Sequence, residues 1–266
     1  MNPGQFIYTL FVNKTNLSMQ KFTFKKVYLF FFSVLIFMLH LPFAFSSTKS
    51  LTILPLAIAV TASADAAENK NSLLYTSLDL NAQGLSEAAF TSAMKGFDKL
   101  SRAGRLEKGN LITIIDFTKP STQKRMFVLD VENAKILYKT YVAHGQNSGR
   151  EFATRFSNIP ESFQSSLGFY ETTTTYNGKN GYSLKLKGLE SGINNKAEER
   201  AVVIHGAPYV SESFINSHGY LGRSWGCPAL PEHLNRPIID KIKNGSCLFI
   251  YKDNNNYLNN SKLLNS

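Results

Sequence analysis

The sequence predicts a mainly β fold, an antiparallel β-sandwich or barrel-like domain with an N-terminal helix and a few short helices. Short apolar segments separated by turn residues recur from Leu111 to Tyr251, which is typical of strands in a closed or sandwiched sheet. A clear helical pattern precedes them. The chain without its leader has about the length of one domain.

Residues 1–64 have the pattern of an export leader. An apolar run at Val27–Leu39 follows three lysines, and a second run at Leu51–Val60 leads into Ala62-Ser63-Ala64, a small-residue cleavage pattern. We favour cleavage after Ala64, and an uncleaved inner-membrane anchor is the alternative. Both readings place the rest of the chain outside the inner membrane, in the periplasm or cell envelope.

The leader also carries much of the positive charge. The whole chain has a formal net charge of +10, and residues 1–64 hold five lysines and no acidic residue, which leaves +5 for residues 65–266. A nucleic-acid-binding surface requires a clustered basic patch, and the sequence contains none. We therefore expect no nucleic-acid partner, and a modest positive charge suits an anionic cell-wall polymer instead.

The rest of the chain divides into three parts. Residues 65–84 are predicted to be a polar linker, residues 85–252 the main domain, and residues 253–266 a disordered, asparagine-rich tail. Within the domain, Ser86 can cap a helix that ends near Gly104. That helix presents four apolar residues at helical spacing, namely Phe90, Met94, Phe97 and Leu100.

The remaining elements follow in order. Between Gln146 and Ser166 the sequence has little periodicity, which is typical of a substrate lid, and Pro231–Lys243 is predicted to be a short helix. The predicted strands are Leu111–Phe117, Arg125–Val131, Ile136–Ala143, Gly168–Tyr176, Tyr182–Leu186, Ala201–His205 and Cys247–Tyr251.

The chemistry is concentrated in two segments near the end of the domain. An apolar strand ends in His205-Gly206, and Cys227 follows later, between a glycine and a proline. A thiol becomes a good nucleophile when a neighbouring imidazole lowers its pKa from about 8.5 into roughly the 3.5–7.5 range. This pattern predicts a cysteine-dependent acyl-transfer enzyme with His205 as the base.

The residues around Cys227 suit the same chemistry. Gly226 permits close approach of a substrate carbonyl, and the amides of Trp225, Gly226 and Cys227 are expected to converge on a developing oxyanion. No acidic residue stands near the cysteine in the sequence, so we expect the carbonyl of Gly206 to orient His205.

The two segments, His205-Gly206-Ala-Pro-Tyr-Val and Gly-Arg-Ser-Trp-Gly-Cys227-Pro-Ala, resemble the signature of the murein L,D-transpeptidase catalytic-domain family. Two upstream stretches, from Val142 to Gly149 and from Ser166 to Tyr170, are similar to other parts of that family. The resemblance runs from about Leu111 to Tyr251. Trp225 stands where the wider family usually has a histidine.

The resemblance implies a peptidoglycan enzyme. Cys227 would be acylated by a stem tetrapeptide, with His205 as general base, and an amine acceptor would resolve the thioester. Four further residues are candidates for substrate binding: Arg223, Ser224, Tyr209 and His144. Arg223 could bind a carboxylate through its planar fork, and Tyr209 and His144 could line the cleft.

Several alternatives remain at this level. Water as acceptor would make the protein an L,D-carboxypeptidase, and a cell-wall-binding module would keep the fold without catalysis. Cys227 could form a disulfide with Cys247, although Cys247 has the setting of a buried strand. His144, His205 and His218 could join Cys227 around zinc, but no zinc-binding motif is present, and we expect no metal and no cofactor. The oligomeric state does not follow from the sequence.

Overall fold

The computed structural model describes residues 56–265. The first predicted apolar run, Val27–Leu39, and the beginning of the second lie outside this range. Helix α1, Leu56–Ser77, continues through the predicted cleavage position after Ala64, and cleavage there stays a prediction. Of the helices in residues 56–265, none has the length and apolar character needed to cross a membrane.

The mainly β prediction is confirmed. Within the described residues one sheet contains eight strands in the order β3-β2-β1-β8-β4-β5-β6-β7. The strands are β1 Leu111–Asp116, β2 Met126–Asp130, β3 Lys135–Thr140, β4 Gly168–Gly178, β5 Gly181–Gly188, β6 Val203–Gly206, β7 Ala229–Leu230 and β8 Cys247–Tyr251. Strands β1 and β8 are buried along their whole length, in agreement with their continuous apolar sequences.

The sheet is mixed rather than purely antiparallel, and it is nearly closed. The β1/β8 and β6/β7 pairs are parallel, whereas the other strand pairs are antiparallel. Beyond β3, the amide of Ala143 donates a hydrogen bond of 2.9 Å to the carbonyl of Ala229 in β7. This contact joins the two ends of the sheet into a barrel-like arrangement.

The predicted N-terminal helix is present as α2, Glu87–Arg102. The hydroxyl of Ser86 caps it by accepting from the amide of Ala89, and the four predicted apolar residues are buried. The helix packs closely on the sheet, because a Cβ at Gly96 would overlap the ring of Phe169. Glycine is therefore required at this position by the close approach of helix and strand.

The expectation of a polar linker over residues 65–84 is wrong. Helix α1 extends to Ser77, and Leu74 and Leu80 are buried in the core. The hydroxyl of Tyr75 donates to the carbonyl of Leu85 at 2.7 Å, and its ring lies 5.2 Å from that of Phe90. A few apolar side chains were enough to dock this largely polar segment on α2, and tertiary contact overrode its polar composition.

The expectation of a disordered tail over residues 253–266 is also wrong for the described part. Residues Asn255–Asn260 and Lys262–Asn265 are helical. Tyr257 and Ser261 are buried and donate hydrogen bonds to the carboxylate of Glu190. Asparagine is a poor helix former, so these short helices depend on tertiary anchors rather than on propensity.

Two helices flank the end of the sheet that holds His205. Helix α3, Glu212–His218, is capped by the hydroxyl of Ser211, and Gly219 ends it with a left-handed φ of 79°. Helix α4, Glu232–Ile242, confirms the predicted short helix and follows β7 directly. Strand β6 begins two residues later than predicted because Ala201 has a positive φ of 49°.

Candidate active site

Strand β6 brings His205 next to residues 223–228, the loop that carries Cys227 and is called the cysteine loop below. His205 is paired with Ala229 in the parallel β6/β7 ladder. Two residues earlier on each of these segments, the amide of Val203 donates a hydrogen bond of 3.4 Å to the Sγ of Cys227. The imidazole and the thiol therefore lie on neighbouring segments at one edge of the sheet. No hydrogen bond within residues 56–265 joins the two side chains directly.

The segment after β3 holds the cysteine loop from its other side. The amide of Ser224 donates to the carbonyl of His144 at 3.0 Å, and the amide of Gln146 donates to the carbonyl of Ser224 at 2.7 Å. These two bonds form an isolated parallel bridge between Gly145 and Ser224. The cysteine loop is thus fixed between two extended segments that are far apart in the sequence.

The expected orientation of His205 is present. Its side chain is buried, and Nδ1 lies 2.9 Å from the carbonyl oxygen of Gly206. A carbonyl only accepts, so Nδ1 carries the proton and Nε2 is left with a free lone pair in the neutral ring. Burial lowers the pKa of His205 below its usual value of 6.5, and the hydrogen bond to Gly206 opposes this effect. A neutral imidazole with an unprotonated Nε2 has the form that a general base requires.

Cys227 carries a free thiol that is half-buried. Burial raises its pKa above the usual value of 9.0, while the amide of Val203 and the charge of Arg200 lower it. The other cysteine, Cys247, is fully buried and also free. The disulfide alternative is therefore wrong in this structure, and of the two thiols only Cys227 can be reached from solvent.

The loop around Cys227 is internally braced. The hydroxyl of Ser224 donates to the carbonyl of Cys227 at 2.6 Å and accepts from the amide of Gly226 at 3.1 Å. The amide of Gly226 is therefore engaged within the loop, and the expectation that it points at an oxyanion is wrong. Within the described chain, the amides of Trp225 and Cys227 have no hydrogen-bond acceptor. These two remain as candidate oxyanion donors.

Gly226 is needed for the shape of the loop rather than for an open approach. Its φ is +119°, and a Cβ would lie 2.7 Å from the carbonyl oxygen of Gln164 and 3.3 Å from an Nη of Arg200. A side chain at this position would be strained by its backbone and would collide with the neighbouring segment. The glycine allows the cysteine loop to pass close to residues 157–166.

Two aromatic residues lie in or against the loop that carries Cys227. Trp225, the only tryptophan in the chain, is 70% exposed, and its ring lies 5.4 Å from that of Phe163. Tyr209 is half-buried, and burial raises its pKa to about 12, with a further contribution from the nearby Cys227. The phenol of Tyr209 is therefore neutral at neutral pH and can donate a hydrogen bond.

His144 does not line the cleft, contrary to expectation. It is buried, its Nδ1 accepts from an Nη of Arg125 at 2.7 Å, and its Nε2 donates to the carbonyl of Gly149 at 3.3 Å. Burial, followed by the charge of Arg125, lowers the pKa of His144 to about 3. Both ring nitrogens are engaged, so His144 supports the loop through its backbone carbonyl.

Arg125 is a buried residue that holds several backbone segments together. The sequence does not indicate this role, because a charged residue at the start of a strand gives no sign of burial. The side chain is fully buried and donates to the carbonyls of Val142 and Lys119 in addition to His144. Its guanidinium also stacks 4.7 Å from the ring of Phe117. Because the acceptors are dispersed in the sequence, only the folded chain shows that they converge.

Arg223 stays half-exposed at the start of the cysteine loop. Its guanidinium donates to the carbonyl of Gly149 at 3.4 Å and lies 5.5 Å from the ring of Tyr220, and Arg150 stacks on the same ring at 4.7 Å. In the described chain no acidic side chain forms an ion pair with either arginine. The predicted carboxylate-binding role of Arg223 is compatible with this free charge and stays a prediction.

The predicted lid, Gln146–Ser166, contains neither helix nor strand. It is nevertheless held to itself, because the amide of Asn147 donates to the carbonyl of Phe163 at 3.1 Å and that of Ser165 donates to the hydroxyl of Ser148 at 2.9 Å. Arg200 anchors it further. Closure of this segment over a ligand stays a prediction.

The histidines do not gather around a metal position. His218 stacks on Phe214 with ring centres 4.0 Å apart, and His144 is enclosed with Arg125, so neither lies with His205. In the part of the chain that the structure describes, no cluster of three or more histidine, cysteine or acidic side chains could hold a metal ion.

The sequence model of the L,D-transpeptidase catalytic domain matches residues 81–251. This range includes the whole of the sheet and both halves of the site. No curated protein matches the chain.

Solved structures with a similar fold include an L,D-transpeptidase from Mycobacterium smegmatis, with 14% identity, a TM-score of 0.34, and coverage of 54% of this chain and 59% of the other. The helical cell shape determining protein Pgp2 from Campylobacter jejuni is similar over 54% of this chain and 48% of its own, with 15% identity and a TM-score of 0.34. The chain thus spans about half to three-fifths of the length of these two proteins.

Proposed function

Because the chain belongs to the L,D-transpeptidase catalytic-domain family, we propose that it is a peptidoglycan L,D-transpeptidase that acts through a Cys227 thioester. The observation that carries the proposal is the hydrogen bond from the amide of Val203 to Sγ of Cys227, combined with the pairing of His205 and Ala229. Together they bring a free thiol and a correctly protonated imidazole to one edge of the sheet.

In the acylation step, Nε2 of His205 takes the thiol proton, and the thiolate of Cys227 attacks the carbonyl carbon that follows the L-centre of a stem tetrapeptide. The negative charge moves to the carbonyl oxygen, where the free amides of Trp225 and Cys227 can stabilise it. The tetrahedral intermediate then collapses. The bond to the terminal D-residue breaks, its amine takes the proton from His205, and a thioester remains.

In the second step an acceptor amine attacks the thioester carbonyl. Its proton passes to His205 and then to the departing sulfur, which restores the free thiol. If water attacks instead, the same site acts as an L,D-carboxypeptidase. Arg223, with its unpaired charge, is the candidate partner for a carboxylate of the stem peptide, and Tyr209 is a candidate donor to the bound peptide.

Intact-protein mass spectrometry of the purified domain with a stem tetrapeptide tests this mechanism. Wild-type protein should gain the mass of the acyl group, Cys227→Ala should gain none, and His205→Gln should acylate slower by several orders of magnitude. Cys247→Ala and His218→Ala are controls that should acylate normally once their folding is verified. Acylation of Cys227→Ala, or no acylation of the folded wild-type protein, would contradict the proposal, and the latter would favour a non-catalytic wall-binding protein.

The acceptor can be identified in the same experiment. With an added D-amino acid, transpeptidation yields an exchanged tetrapeptide, whereas carboxypeptidation yields a tripeptide. An exchanged product supports the transpeptidase. A tripeptide as the sole product, even at high acceptor concentration, would replace it with the carboxypeptidase alternative.

We also propose that the domain works outside the inner membrane, because residues 1–64 combine lysines, apolar runs and a cleavage pattern. A reporter fused after Asp79 should be active only in the exported compartment. Cytoplasmic reporter activity would contradict this localisation. Mass spectrometry of the N-terminus of the mature protein would distinguish cleavage after Ala64 from an uncleaved anchor.

A further inference from the structure

Arg200 connects the predicted lid to the cysteine loop. Its guanidinium donates hydrogen bonds to acceptors that all belong to residues 157–166. They are the carbonyl of Ser157 at 2.7 Å, the hydroxyl of Ser166 at 2.5 Å, the hydroxyl of Ser162 at 3.3 Å and the carbonyl of Gln164 at 2.6 Å. One side chain thus fixes the path of a segment that has no secondary structure of its own.

The same guanidinium lies against the loop that carries the thiol. A Cβ on Gly226 would be 3.3 Å from an Nη of Arg200, so the guanidinium lies directly against Gly226, the residue before Cys227. The hydroxyl of Ser165 donates to the carbonyl of Gly226 at 3.2 Å and completes the connection. Lid segment, arginine and cysteine loop therefore form one packed unit.

In the described part of the chain, the charge of Arg200 has no acidic partner. All of its acceptors are neutral, and within residues 56–265 no carboxylate forms an ion pair with it. The phenol of Tyr170 is nearby, but it is fully buried and donates to the carbonyl of Ser166, and burial raises its pKa well above the usual value. A half-buried cation without a counter-charge is costly unless an anion forms beside it.

The titratable groups near the thiol belong to strand β6 and to the segments just before and just after it. Arg200 precedes β6, His205 lies in β6 and Tyr209 follows it, and of these Arg200 alone is a permanent cation. His205 and Tyr209 are both neutral at neutral pH, for the reasons given above. A thiolate at Cys227 would therefore meet one fixed positive charge, and the side chain of Arg200 supplies it.

We propose that Arg200 is a positioning residue with two roles: it clamps residues 157–166 against the Cys227 loop, and its otherwise unpaired charge favours the thiolate of Cys227. The importance of these two roles for catalysis rests on the proposed function. The lowering of the pKa of the Cys227 thiol by Arg200 does not. In the sequence Arg200 ends the charged run Lys-Ala-Glu-Glu-Arg, which is typical of a solvated surface, so nothing in the local pattern indicates it.

The pH dependence of alkylation at Cys227 tests the charge, because iodoacetamide reacts with thiolate and needs no peptide substrate. Rates are measured from about pH 6 to about pH 10, with peptide mapping to assign the label to Cys227. Arg200→Gln should move the alkylation midpoint to higher pH and slow the reaction about tenfold at a fixed pH below the midpoint. Arg200→Lys keeps a charge and should shift the midpoint much less.

Hydrogen exchange tests the clamp separately. Exchange in residues 157–166 should become faster in both Arg200→Gln and Arg200→Lys, because lysine cannot reproduce four bonds from one planar group. Arg155→Gln is the matched control. Arg155 belongs to the predicted lid, just before residues 157–166, is exposed and donates to the carbonyl of Asn147 at 3.1 Å, so its substitution removes an equal charge without breaking a bond of Arg200.

An unchanged alkylation midpoint in folded Arg200→Gln would overturn the charge role, and so would an equal shift in Arg155→Gln. Unchanged exchange in both Arg200 variants would overturn the clamp. If Arg200→Gln does not fold, Arg200→Lys decides, since a midpoint shift of a full pH unit or more despite the retained charge would contradict the proposal. Failure of transpeptidation with a normal alkylation profile would concern the proposed function alone.

Discussion

The hydroxyl of Ser224 donates a hydrogen bond of 2.6 Å to the carbonyl of Cys227, three residues further along the chain. The same oxygen accepts from the amide of Gly226 at 3.1 Å. A buried hydroxyl with both kinds of bond satisfied inside one short loop has mainly a structural task. It fixes the direction of the Cys227 carbonyl and of the Gly226 amide.

Removal of this hydroxyl should loosen the loop. In Ser224→Ala the amide of Gly226 loses its acceptor, which costs about 1 to 3 kcal/mol if the group stays buried. We expect a lower kcat for acylation with a nearly unchanged KM, faster hydrogen exchange around Gly226, and partial rescue in Ser224→Thr. A raised KM with unchanged exchange would instead indicate that Ser224 binds the substrate directly.

Trp225 should act as a reporter of binding. It is the only tryptophan, it is 70% exposed, and it lies two residues from Cys227. A peptide that covers the indole removes water from it, so the fluorescence emission of the folded protein should shift to shorter wavelength. Cys227→Ala with the same peptide separates binding from acylation. An unchanged emission spectrum in fully acylated wild-type protein would show that the peptide lies away from Trp225.

The buried pair of His144 and Arg125 should make stability depend on pH. The pKa of His144 is about 3 in the folded protein, against its usual value of 6.5. Between these values the unfolded chain binds a proton that the native state excludes, so stability is complete above about pH 6.5 and falls as the pH decreases toward about 3.

His144→Gln removes the titrating group and should flatten that part of the profile. The free energy of unfolding of both proteins, measured by urea denaturation at several pH values, gives the difference, which is limited to about 1.4 kcal/mol per pH unit. His218→Gln provides the control, because it makes the same substitution at an exposed histidine outside the buried pair. Parallel profiles for wild type and His144→Gln would mean that His144 is protonated in the native state.

The tail should contribute to stability through Glu190. The hydroxyl of Tyr257 donates to this carboxylate at 3.1 Å in the interior, and Ser261 donates to its other oxygen. Tyr257→Phe should lower the free energy of unfolding by about 1 to 3 kcal/mol, since it removes a donor and little else. Tyr176→Phe, at an exposed hydroxyl without a hydrogen bond in the described chain, should change stability little. Equal effects of the two substitutions would rule out an anchoring role for Tyr257.

The sequence alone determined the class of fold and indicated the two candidate catalytic residues. Its apolar segments have the period and length of strands, and seven of the eight observed strands were expected close to their positions. His205, its orientation by Gly206, and Cys227 were also indicated by local patterns. Each of these properties depends on residues that are adjacent in the chain, which is why a linear reading can find them.

Only the tertiary structure decided the rest. The polar segment before α2 and the asparagine-rich tail became helical because Leu74 and Tyr257 found buried partners far away in the sequence. His144 lies in the interior rather than in the expected cleft, because Arg125 packs on it. The hydrogen-bond acceptors of Arg200 belong to a segment more than thirty residues earlier in the sequence. The burial of a polar side chain is decided by the convergence of distant groups around it, and composition and periodicity carry no record of that convergence.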